Sequence, residues 1–70
     1  MSYMTEQEKF KIKSFIVGAG YTITSLSQKI GMSRESLSAR INGKIDFGRN
    51  EMTVIANELH TKPEEIFFNI

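Results

Sequence analysis

Gly31-Met32-Ser33-Arg34-Glu35-Ser36-Leu37-Ser38-Ala39-Arg40-Ile41-Asn42-Gly43-Lys44 is the stretch on which the fold of this 70-residue chain turns. Ser33 stands where an N-cap stands, offering its hydroxyl to the free N–H groups of the turn that follows. Gly43 after Asn42 supplies a left-handed C-terminal cap. Between them Leu37 and Ile41, four apart, form one apolar stripe, which leaves Arg34, Glu35, Ser38 and Ala39 on other faces. A helix this short and this polar does not stand alone in water, so the remaining chain must hold it in place. Its polar side is then free to be shown to a partner.

Working outward, Thr22 caps a preceding helix that runs from Ile23 to about Ile30. Its apolar residues Ile23, Leu26 and Ile30 lie three and four apart, with Ser27 on the same side, and Gly31 stops it. Two short helices joined by a three- or four-residue turn containing glycine form a helix-turn-helix, here at about 22–42. An αα-hairpin that merely packs has the same local pattern, and periodicity alone leaves both open.

Further upstream, Thr5 with Glu8 three residues on spells a capping box. The early acids and the later Lys9, Lys11 and Lys13 are ordered as the helix dipole prefers. Ile12, Phe15, Ile16 and Ala19 make the core face of this first helix, Phe10 covers the core's edge, and Gly18 and Gly20 end it. Residues 1–4 read as a frayed start in which Met4 offers an alternative initiator.

Downstream, the loop Lys44–Arg49 carries Phe47 as a plug on the core. Gly48 or Arg49 precedes a fourth helix, with Glu51 in its first turn and Met52, Ile55, Ala56 and Leu59 at i, i+3, i+4 and i+7. His60 and Thr61 leave it. Lys62-Pro63-Glu64-Glu65 opens a last short helix with proline at the first helical position. Ile66 and Phe67 dock on the core, and Phe68 and Ile70 are partly exposed. With no strand, repeat or linker signal, the expectation is an all-α single domain over 1–70, built from five short helices.

Composition narrows the function. There is no cysteine, which excludes disulfides and thiolate metal sites. No apolar run approaches the roughly 20 residues of a membrane span and no signal-peptide pattern opens the chain, so a cytoplasmic protein without a membrane partner is expected. The one histidine, His60, lacks a second ligand at metal spacing, and the serines lack a base. Glu64-Glu65 is a helix-start pair, not a spaced acid/base couple. Gly18-Ala19-Gly20 lacks the strand and the third glycine of a phosphate loop. Neither an enzyme, a cofactor nor a small-molecule substrate is expected. The net charge is only +1, but residues 1–44 carry seven Lys/Arg against three Glu, whereas residues 45–70 carry two against five Asp/Glu. That asymmetry suits one face for a polyanion and one turned away from it, or else ordinary surface scatter.

The Thr-capped helix with Leu26, the Gly31 turn, Ser33-Arg34-Glu35-Ser36-Leu37-Ser38 and then Ile41-Asn42-Gly43-Lys44 resemble the Cro/repressor-type (Xre-like) helix-turn-helix domain. The ending Pro63-Glu64-Glu65-Ile66-Phe67-Phe68 is similar to the last helix of small phage-encoded members. The resemblance covers about residues 8–68. It implies a compact five-helix lambda-repressor-like domain that binds double-stranded DNA, with the third helix in the major groove and the protein acting as a homodimer. Two positions depart from the pattern. Ile23 replaces the common glutamine that reaches a phosphate, leaving Thr22 and Thr24 as substitutes, and Ser27 replaces alanine, which is tolerable if its hydroxyl bonds back to its own backbone.

On that footing the base-reading residues are Arg34, Glu35, Ser38 and Ala39, near the start of the third helix and off its buried stripe. Arg34 suits guanine O6 and N7, or alternatively a phosphate. Glu35 either accepts from a cytosine amino group or stabilises the helix N-terminus. Ser38 and Ala39 are small enough to approach the groove, where Ala39 would meet a thymine methyl. Phosphate contacts fall to Thr22, Thr24, Ser33, Asn42, Lys44 and Arg49. Arg40 lays its stem along the core edge with its charge outside. The function expected is a sequence-specific regulator, a phage or prophage repressor or Cro-like protein that occludes its operator. The alternative is a protein-interaction module, antirepressor or antitoxin-like, that uses an apolar face such as Phe67-Phe68-Asn69-Ile70.

Overall fold

Among the described residues, four of the five helices begin where a side chain accepts from a free backbone N–H, and the last begins at Pro63 without such a bond. In the structure, a computed structural model that describes residues 4–67, the helices are α1 (Glu6–Gly18), α2 (Ile23–Ile30), α3 (Arg34–Ile41), α4 (Arg49–Glu58) and α5 (Pro63–Ile66). The Thr5 hydroxyl accepts from the Glu8 N–H at 3.1 Å and the Glu8 carboxylate accepts from the Thr5 N–H at 3.0 Å, completing the expected capping box. Thr22 and Ser25 repeat the exchange at the start of α2, at 3.0 and 2.8 Å. At α3 the Ser33 hydroxyl accepts from the Ser36 N–H at 3.1 Å.

Four helices close in the same way. The N–H groups of Tyr21, Met32, Lys44 and Thr61 each reach back to a carbonyl five residues earlier at 2.9 Å, on Ile16, Ser27, Ala39 and Ala56 respectively. The residue before each donor is left-handed: Gly20 at φ 83°, Gly31 at 74°, Gly43 at 79° and His60 at 59°. Gly43 meets that demand without a steric cost, and His60 meets it against the preference of an L side chain.

The core draws on every helix. Ile12 and Ile16 from α1, Leu26 from α2, Leu37 and Ile41 from α3, Ile55 and Leu59 from α4 and Ile66 from α5 are all buried. Phe47 is the plug the sequence suggests, its ring edge-on to Phe67 with centroids 5.0 Å apart at 64°. Both are buried, so Phe67 belongs to the core and not to an exposed apolar end; Phe68, Asn69 and Ile70 lie outside the described residues. Ser27 is buried at the crossing of α2, and its hydroxyl donates to the Thr24 carbonyl at 2.7 Å, the backbone bond that makes a polar atom acceptable there.

Three expectations need correction. Met4 is 3 % exposed and packs with the core, so the frayed start does not include it; residues 1–3 lie outside the described part. Ala19 is exposed, because it follows the last helical residue and caps α1 from outside the stripe. Phe10 is 74 % exposed, since two residues before Ile12 is more than half a turn around the helix from the core. No helix among the described residues is long and apolar enough to cross a membrane.

Candidate nucleic-acid interface

Leu37 and Ile41 are 0 % and 1 % exposed, so the polar side of α3 is fixed in direction by two buried anchors. Arg34 and Glu35 are exposed in its first turn, and Ser38 and Ala39 are half-buried one turn later. Among the proposed base readers only Arg34 has a partner on another helix. Its Nε–H donates to the Thr24 hydroxyl at 3.1 Å, tying the start of α3 to the first turn of α2. A guanidinium held by Nε keeps its outer N–H groups for a second, bidentate partner. Thr24, expected to touch a phosphate, is therefore brought together with Arg34.

The other phosphate-contacting residues are distributed over helix ends. Thr22 and Ser33 are exposed caps of α2 and α3, their hydroxyl oxygens already accepting from N–H groups of their own helices. Asn42 donates from its side-chain amide to the Ser38 hydroxyl at 3.3 Å, which joins a residue expected to position with one expected to read. Lys44 follows the Gly43 turn and Arg49 opens α4; both are exposed and bracket the loop that holds Phe47.

Arg40 behaves differently from the rest of α3. Its Nε–H donates to Glu51 Oε1 at 3.0 Å and an outer N–H donates to the Ser36 carbonyl at 3.1 Å. The same Glu51 oxygen accepts from the Gly48 N–H at 2.7 Å, at the start of α4. Arg40 and Glu51 side chains are 18 % and 31 % exposed, so this charge is committed to joining α3 to α4 instead of facing solvent. The bond from Gly48 above all holds the Glu51 carboxyl below the ordinary glutamate value; partial burial opposes it, and the hydrogen bond and charge of Arg40 add to the lowering. Sequence reading placed Glu51 in the first turn of α4 but had no signal for its partner, which is eleven residues away. Between the loop after α1 and the end of α4, the Tyr21 hydroxyl donates to the Glu58 carboxylate, and that bond, with some desolvation and the carboxylate's charge, raises the Tyr21 pKa.

Two capped helices crossing over a glycine turn, with the second anchored by two apolar residues and polar elsewhere, define a helix-turn-helix protein. The family model of the Cro/C1-type HTH DNA-binding domain matches residues 11–68, and the chain belongs to that family. Solved structures agree on the fold. The hypothetical transcription factor NHTF from Neisseria superposes with a TM-score of 0.77 at 17 % identity, over 86 % of this chain and 69 % of that one. The clp gene regulator ClgR from Corynebacterium glutamicum gives 0.78 at 17 %, over 90 % of this chain and 67 % of its own. The SOS-response transcriptional repressor LexA from Eubacterium rectale gives 0.76 at 13 %, over 91 % and 71 %. At these identities the likeness is one of fold. No curated protein matches the sequence.

Proposed function

We propose that the protein is a sequence-specific transcriptional regulator of the phage or prophage repressor/Cro type, which blocks an operator by occupying it as a homodimer. The observation that carries this reading is the exposed Arg34, oriented by Thr24 at the N-terminal end of a helix anchored by Leu37 and Ile41, with which it is in line and not off their stripe as expected. That is where a major-groove helix needs its base-reading side chain. Arg34 would pair with guanine O6 and N7, while Ala39 and Ser38 approach neighbouring bases and Glu35 accepts from a cytosine amino group or steadies the helix start. Thr22, Ser33, Asn42, Lys44 and Arg49 would hold phosphates, and Thr24 would serve them only secondarily.

Two half-sites about 34–36 Å apart would receive the two third helices. Because Arg40 is committed to Glu51, each copy offers few free cations, so non-specific binding should be weak, and salt should weaken it further. Of the apolar end that the interaction-module alternative would use, Phe67 is buried, and Phe68, Asn69 and Ile70 lie outside the described residues. A gel shift on the DNA upstream of the protein's own gene tests the proposal. A discrete complex in the wild type, lost in Arg34→Ala with the fold intact, is the expected result. No specific complex with any DNA at low salt would overturn it.

A further inference from the structure

Outside the α2–α3 unit, one surface has no assigned occupant. Phe10 and Val17 of α1 are each 74 % exposed, well above Val54 and Ile45 at 46 % and 45 %, the other large apolar side chains exposed among the described residues. They are seven residues apart and so share one face over two helical turns, with Gln7 and Ser14, both exposed, on the same line. Grooves of about 550 Å³ and about 520 Å³ flank this ridge. The first is walled by Phe15, Gly18, Ala19, Leu59 and His60 beside Phe10, and its largely apolar walls include a bare glycine.

The charges beside the ridge say what covers it. At 100° per residue, Glu6 and Lys13 lie about 40° and about 60° to the same side of Phe10. Along the axis they stand about 6 Å before it and about 4.5 Å after it. A two-fold axis through Phe10 at right angles to α1 therefore sets Glu6 of one copy opposite Lys13 of the other, twice, to within about 1.5 Å along the helix. The two Phe10 rings meet at the axis. Glu6 already pairs with Lys9 at 3.1 Å but is 91 % exposed, which leaves its carboxylate open to a second cation.

We infer that the outward face of α1 is a self-complementary contact through which two copies of this chain pair antiparallel, Phe10 on Phe10 and Glu6 on Lys13. None of the residues assigned to DNA lies on this face, so the pairing stands whether or not the DNA reading holds. A helix of 13 residues is about 20 Å long, and one crossing covers less than the roughly 800 Å² per partner of a stable complex. The association is accordingly reversible and concentration-dependent.

Sedimentation velocity on the full chain from about 10 µM to about 1 mM, spanning the weak end of protein association, tests this. The wild type should shift from monomer toward dimer. Phe10→Ser, Glu6→Lys and Lys13→Glu should each weaken association about tenfold or more, with far-UV circular dichroism unchanged because all three sites are exposed. The double variant Glu6→Lys/Lys13→Glu restores the opposite-charge pairing and should recover dimer. A wild type that remains monomeric throughout, a Phe10→Ser variant that associates normally, or a double variant no better than the singles would overturn the inference. Half-site DNA affinity measured on the same variants reads the DNA proposal separately and should not change.

Discussion

Removing the Glu51 carboxylate should loosen the protein at one identifiable joint. In Glu51→Ala the Gly48 N–H loses its acceptor at 2.7 Å and Arg40 loses its partner at 3.0 Å. Losing a helix-start acceptor costs about 0.5–2 kcal/mol. The ion pair adds no more than about 1 kcal/mol, because both side chains keep partial solvent access. Alanine's better helix propensity returns a few tenths of a kcal/mol. The net expectation is a loss of about 1–2 kcal/mol, from a domain whose whole stability should be about 3.5–10 kcal/mol at 70 residues. Thermal unfolding followed by circular dichroism should therefore drop by about 5–15 °C. Glu51→Gln should fall between, since an amide oxygen still accepts from one donor. The pH dependence has a definite sign. A carboxyl depressed in the folded state adds stability above its unfolded value of about 4.3, and that increment fades as pH falls through the lower folded value. The gap between wild type and Glu51→Gln should be full at pH 7 and shrink below about pH 4. A Glu51→Ala midpoint within about 2 °C of wild type would refute the reasoning.

Two smaller predictions follow from single residues. His60 at φ 59° occupies a left-handed cap, so His60→Gly should raise stability by about 1 kcal/mol in urea denaturation, and a loss would show that its side chain makes a contact worth more than the strain. Thr24→Val keeps the shape but removes the acceptor for Arg34, an exposed bond, so stability should change by less than about 0.5 kcal/mol while discrimination at the base that Arg34 is proposed to read falls several-fold in fluorescence anisotropy. Unchanged discrimination would mean that Thr24 does not orient Arg34.

How much of this was legible in the sequence depended on how local the cause was. The caps at Thr5, Thr22 and Ser33 and the stop at Gly43 act within three or four residues, and each appears as read. The stripes of α2, α3 and α4 were visible because their apolar residues repeat at helical spacing. Phe10 was misplaced because a large apolar residue beside a core stripe attracts a burial reading, although its angle to Ile12 argues against it. Met4 was misplaced because a chain terminus carries no periodic signal at all. The bonds Arg34–Thr24, Arg40–Glu51 and Tyr21–Glu58 cross between elements and leave no trace in spacing. The proposed reading surface was thus partly visible as a set of residues, while the division of labour between Arg34 and Arg40 required the fold.

The central claim, that α3 presents Arg34 to a base edge, is tested most directly by selecting a binding site from random DNA and repeating the selection with Arg34→Ala. A wild-type site of two related half-sites, each with a guanine whose replacement costs about 1–3 kcal/mol, is predicted, with that preference and no other lost in the variant. Selection of the same guanine by both proteins, or no site from the wild type, would contradict it.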